Sequence, residues 1–91
     1  MTAAMRRRVV LALRCAAEVD TDYEHLVNDD GYVLLHIGDA CRALGYSHVV
    51  FRAAKVAERA VCADLGILDD HDYDYQMVYL EAAQRLEDGE M

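Results

Sequence analysis

Helix-forming residues follow one another at helical spacing along much of this sequence, and residues that stop and start helices separate them. Residues 3–19 hold alanine, leucine, methionine, arginine and glutamate in a helix-favouring proportion. Apolar side chains recur there every three or four residues, at Met5, Val9, Ala12, Leu13 and Ala16. This spacing predicts a first helix over 3–19 with one face toward a core.

Glycine and serine mark the expected ends of two further helices. Gly45 and Gly66 suit the left-handed conformation that commonly follows the last turn of a helix. Ser47 is a favourable N-cap because its side chain can accept a hydrogen bond from the first turn. We therefore expect a short helix over 40–44 and a long one from Ser47 to about Asp64.

The remaining segments are expected to add shorter elements. Residues 32–37 form an apolar run bounded by a turn, which fits a short strand or the start of a buried helix. Asp39 is expected to cap the short helix, and residues 21–27 to form a helical turn. Residues 69–72 are expected to open the last helix. One face of that helix should carry Tyr75, Val78, Tyr79, Ala82 and Leu86.

A length of 91 residues predicts a single small domain spanning 1–91. Apolar residues make up 55% of the chain, with no proline and five glycines, which excludes disordered and collagen-like chains. The expected fold is mostly all-α, with about four helices, a helix-turn-helix at 37–63 and at most a short strand at 32–37.

The cysteines and the first apolar run exclude several classes of protein. Cys15, Cys41 and Cys62 form no closely spaced pair, which argues against a disulfide framework and a zinc site and favours the reducing cytoplasm. Arg14 interrupts the first apolar run, which is too short to span a bilayer. No constellation of acid, base or nucleophile is persuasive, so we expect no enzyme, no metal and no cofactor.

A helix ending at Gly45, a tight turn and a helix capped by Ser47 is the layout of a helix-turn-helix. When Ile37 is taken as the first position of that motif, small or apolar residues fall where its two helices must touch. These residues are Ile37, Ala40, Cys41, Leu44, Phe51 and Ala54.

Residues 38–48 read Gly-Asp-Ala-Cys-Arg-Ala-Leu-Gly-Tyr-Ser-His. This stretch resembles the Asp-Val-Cys-x-Ala-Leu-Gly-Tyr-Ser pattern of the N-terminal domain of phage antirepressors and Bro proteins, and the start of many helix-turn-helix regulators. The resemblance covers eleven residues and implies a DNA-binding regulator of phage or mobile-element type.

A basic ridge on the second helix of the motif supports the same function. One helical stripe carries four basic residues: His48, Arg52, Lys55 and Arg59. This stripe either contacts double-stranded DNA or is an ordinary solvated face of an amphipathic helix. Lys and Arg would pair with phosphates, while Ser47, His48 and Arg52 lie nearest to base edges. Other faces of this helix are expected to pack inward through Val49, Ala53, Val56, Ala57 and Ala60.

The net charge of −8 and the pI of about 4.7 argue against DNA binding and favour an alternative. Acidic segments can imitate a row of phosphates and block a basic nucleic-acid-handling protein, as phage-encoded anti-CRISPR inhibitors do; the similarity is one of size and charge. The candidate carboxylates for such protein–protein interaction are Asp20, Asp22, Glu24, Asp69, Asp70, Asp72 and Asp74.

Wide apolar stripes on the first and last helices also suggest a homodimer. The runs from Val9 to Leu13 and from Met77 to Leu80 are nearly continuous. Together they form more apolar surface than a single chain is expected to bury. A dimer would place two recognition helices at a two-fold spacing.

Overall fold

The structure, a computed structural model, describes residues 1–18, 36–67 and 75–90. Four helices cover most of these residues, and no strand occurs among them. They are α1 (Ala3–Glu18), α2 (His36–Ala43), α3 (His48–Asp64) and α4 (Tyr75–Glu87). The expected all-α fold is confirmed, and α1 and α3 have nearly the predicted bounds.

Helix α1 lies at the centre and contacts each of the other three helices. The predicted apolar face of α1 is buried at Val9, Ala12, Leu13 and Ala16, and Met5 packs against its edge. The inward face thus follows the spacing of the apolar residues, because side chains three and four positions apart share one side of a helix.

Helices α1 and α4 cover each other's apolar runs. The predicted inward face of α4 is buried at Val78, Tyr79, Ala82 and Leu86. The side chain of Tyr75 lies outside the described part of the structure. Polar contacts join the two helices as well. Gln76 Nε2 donates a 2.9 Å hydrogen bond to the carbonyl of Ala17. Arg14 and Glu87 form an ion pair, with Nη2 and Oε2 2.7 Å apart.

The apolar runs of α1 and α4 that suggested a homodimer pack largely within one chain. Val9, Val10, Ala12 and Leu13 lie within the chain's own core, which leaves Leu11 as the exposed member of its run. In the run from Met77 to Leu80, the two end residues remain half-exposed. Leu11, Met77 and Leu80 are thus the members of the two runs that a second copy of the chain could cover, and the homodimer stays a prediction.

Both predicted glycine stops are confirmed. Gly45 and Gly66 each have φ of +71°. After α2, the N–H of Gly45 bonds the carbonyl of Arg42 at 3.2 Å, and the N–H of Tyr46 bonds that of Cys41 at 2.9 Å. This pair of bonds is the Schellman motif, which satisfies the last carbonyls of a helix.

The start of α2 differs from the prediction. The helix begins at His36, so the strand expected over 32–37 is wrong at its last two residues; residues 32–35 lie outside the described part. Ile37, Ala40 and Cys41 are all buried, at the spacing of one helical face. Asp39 consequently lies in the first turn of α2 rather than capping it. The elements expected at 21–27 and 69–72 lie outside the described residues.

Replacing Gly45 with alanine should lower the free energy of unfolding by about 1–2 kcal/mol, the cost of the left-handed conformation for a residue with a Cβ. A Cβ there would meet no atom within 4 Å, so the effect is one of backbone conformation. Gly38 lies inside α2, and its Cβ would make an ordinary 3.7 Å contact with Phe51 Cε2. Gly38→Ala should therefore stabilise by about 0.5–1 kcal/mol. Urea titrations in which both changes have the same sign would contradict this account.

Candidate nucleic-acid interface

Helices α2 and α3 contact each other, and the residues that the predicted motif requires to face inward lie in or against the core. A four-residue connection, 44–47, separates them. Ile37, Ala40, Cys41 and Ala54 are buried, and Leu44 and Phe51 pack against the same core. The inward positions of the predicted motif are therefore placed as expected.

The inward face of α3 differs from the predicted one. Its buried residues are Val50, Ala54, Ala57, Glu58 and Val61. Of the five residues expected to pack inward, Ala57 is buried and Ala53 half-buried, whereas Val49, Val56 and Ala60 are exposed. The prediction was wrong because the apolar residues of α3 cover two adjacent faces, and the other three helices cover only one of them.

The basic ridge lies on the side of α3 that points away from this buried face. At about 100° per residue, positions 48, 52, 55 and 59 fall opposite the line through 54, 57 and 61. His48, Arg52 and Arg59 are exposed. The ring of His48 stacks on Phe51, with centroids 5.5 Å apart and planes at 24°. Solvent can therefore reach three of the four predicted basic side chains.

Lys55, the fourth member of the ridge, binds a carboxylate of its own helix. Its Nζ lies 3.0 Å from Glu58 Oε1, and the side chains of Lys55 and Glu58 are 19% and 6% exposed. A buried charge is costly unless an opposite charge bonds it. Sequence reasoning missed this role of Glu58, although the i, i+3 spacing from Lys55 was the available signal.

The other acids of α2 and α3 also lie beside cations. Asp39 is 4.0 Å from Arg42 Nη1. Asp64 bonds Arg85, which also donates from Nε to Glu81 at 3.1 Å. The bonds to Glu81 and then Asp64 raise the pKa of Arg85.

Two arginines on α3 differ from its other charged side chains. Within the described part of the chain, Arg52 and Arg59 make no ion pair. Among the described residues, the exposed side of α3 is therefore locally positive, in a chain whose net charge is −8.

Ser47 occupies the N-cap position of α3, with φ of −75° and ψ of 167°. Its side chain makes no hydrogen bond to the first turn of the helix and is exposed. Ser47 and the neighbouring His48 thus present polar atoms beside the first backbone N–H groups of α3, which attract anions.

The thiol of Cys41 lies in the core, and burial, followed by the neighbouring Cys15, raises the pKa of Cys41. This environment keeps the thiol protonated and unreactive.

The described residues contain no candidate metal site. In 1–18, 36–67 and 75–90, no group of three His, Cys, Asp or Glu side chains lies close enough together to hold a metal ion. The acidic candidates Asp20, Asp22, Glu24, Asp69, Asp70, Asp72 and Asp74 lie outside the described residues.

None of the described helices is long and apolar enough to cross a bilayer. No known family, curated protein or solved structure matches this chain.

Proposed function

We propose that residues 37–63 bind double-stranded DNA as a helix-turn-helix, in a non-enzymatic regulator of phage or mobile-element type. One observation carries the proposal. Helix α3 directs Arg52 and Arg59 to solvent, and no carboxylate in 1–18, 36–67 or 75–90 pairs with either of them, while Glu58 and Asp64 of the same helix are bonded to cations. A locally positive helix face is the electrostatic requirement for contact with phosphates.

Position along α3 suggests different roles for the two arginines. Arg52 lies in the second turn, close to Ser47 and His48, where the end of a recognition helix meets base edges. Its guanidinium can donate two hydrogen bonds to guanine O6 and N7. Arg59 follows about 10 Å farther along the axis and suits a phosphate. Lys55 supports this face by neutralising Glu58.

Arg52→Ala should weaken the complex with a preferred duplex by about 1–3 kcal/mol and relax the choice of base at one position. Arg59→Ala should weaken all duplexes by similar factors and reduce the salt slope by about one. The ligand is the duplex that the wild-type chain enriches from a random pool, and the readout is fluorescence anisotropy at about 50 and 150 mM salt. Arg8→Ala is the matched control, since it removes one exposed arginine from α1.

The acidic alternative rests on the net charge of −8 and predicts the opposite ranking. If the chain blocks a basic nucleic-acid-handling protein, changing Asp70, Asp72 and Asp74 to Lys should abolish binding, and reversing Arg52 and Arg59 should do little. Capture of host proteins and of duplexes by both variants, at equal helicity by circular dichroism, distinguishes the two functions. No enrichment of any duplex by the wild-type chain would reject the DNA-binding proposal.

A further inference from the structure

Two valines on α3 are exposed beside the arginines. Val49 is 60% exposed and Val56 is 66% exposed. They lie seven residues apart, and Arg52 falls between them, three residues after the first and four before the second. At about 100° per residue all three share one side of the helix, which we name the valine–arginine stripe.

The chemistry of this stripe matches the floor of the DNA major groove. Guanine presents O6 and N7 as acceptors there, and thymine presents an apolar C5-methyl group. An arginine can donate hydrogen bonds to the two guanine acceptors, and a short, stiff β-branched side chain can pack against the thymine methyl group. The valines are about 10 Å apart along the helix axis, which corresponds to roughly three base-pair steps.

Charge favours DNA over a second copy of α3 as the occupant. Burying the valine–arginine stripe against a second copy of α3 would bring uncompensated arginines together in an interface of low polarity, which is costly. A nucleic acid satisfies the valines and the arginines together, since its phosphates and guanine acceptors adjoin its methyl groups.

We infer that the valine–arginine stripe reads a guanine flanked within one or two base pairs by thymine, with Arg52 on the guanine and Val49 and Val56 on thymine methyl groups. This inference rests on the DNA-binding function proposed above and specifies its base preference.

The test alters the DNA one group at a time, which leaves the protein unchanged. Each thymine of the duplex enriched by the wild-type chain is replaced singly by deoxyuridine, which removes only the C5-methyl. Each guanine is replaced by 7-deazaguanine, which removes the N7 acceptor. We expect about fourfold weaker binding at one or two thymines and at least about fivefold at one guanine.

Alanine variants assign each loss to a side chain. In Val49→Ala or Val56→Ala, one deoxyuridine replacement should no longer weaken binding, while the 7-deazaguanine replacement still should. In Arg52→Ala, the 7-deazaguanine replacement should no longer weaken binding, while the deoxyuridine replacements still should. Arg8→Ala should respond like the wild type. Both valines are exposed, so the fold should survive their truncation, and circular dichroism verifies this.

The two proposals fail in different ways. If the wild type enriches a duplex but responds to no deoxyuridine, or if the valine variants respond as the wild type does, the inference is overturned and DNA binding stands. If sedimentation shows that copies of the chain associate through Val49 and Val56, the inference is also overturned. If no duplex is enriched, the proposed function itself fails.

Discussion

We expect Lys55→Met to lower the free energy of unfolding by about 3 kcal/mol, because it removes a cation bonded to a buried carboxylate. The Nζ of Lys55 lies 3.0 Å from Glu58 Oε1, and Glu58 is almost fully shielded from water. A methionine of similar length fills the space but does not replace the ion pair. Small domains are stable by only about 5–15 kcal/mol, so the loss is a large share of the total. Urea denaturation followed at 222 nm measures it.

Two controls separate this effect from a simple loss of positive charge. Arg59→Met removes an exposed cation from the same helix and should change stability by no more than about 0.5 kcal/mol. Adding Glu58→Gln to Lys55→Met removes both charges and should recover most of the loss, because an amide is much less costly to bury than a carboxylate. If Lys55→Met lowers the free energy of unfolding no more than Arg59→Met does, the Lys55–Glu58 pair contributes no stability.

The same double variant tests the role of Lys55 in DNA binding. It keeps the net charge of the chain, and it leaves Arg52 and Arg59 untouched. If Lys55 acts by neutralising Glu58, the salt slope of DNA binding should equal that of the wild type. A slope reduced by about one would instead identify Lys55 as a phosphate contact.

Leu13→Ala should cost about 3 kcal/mol and lower Tm by roughly 12–24 °C. Leu13 is 0% exposed. It lies on α1, which contacts all three other helices, so truncation leaves a cavity that the surrounding helices cannot easily close. Thermal and urea unfolding followed by circular dichroism are the measurements.

Leu11 provides a matched control on the same helix. It lies two residues earlier and is 50% exposed, because it points away from the core. Leu11→Ala should change stability by well under 1 kcal/mol, since alanine also has the higher helix propensity. Similar losses for the two variants would mean that α1 does not pack in this orientation.

The candidate site was predictable only in part. The exposed basic ridge follows from the spacing of His48, Arg52 and Arg59, because helical periodicity alone places them on one side. The roles of Lys55 and Glu58 did not follow, since an i, i+3 pair can equally be a solvated surface pair. The exposure of Val49 and Val56 was missed for a related reason: apolarity was taken as a sign of burial.

Local chemistry in the sequence was sufficient to determine where α1 and α3 lie and where Gly45 and Gly66 end helices, because helix propensity and the left-handed conformation of glycine act within a few residues. Tertiary packing alone decided that residues 36 and 37 begin α2 and that Val50, rather than Val49, faces inward. It also decided that Glu58 is buried beside Lys55. A short apolar run can enter a strand or a helix, and a helix with two apolar faces can bury either. The choice depends on the surfaces that the neighbouring helices offer, and these come from residues distant in the chain.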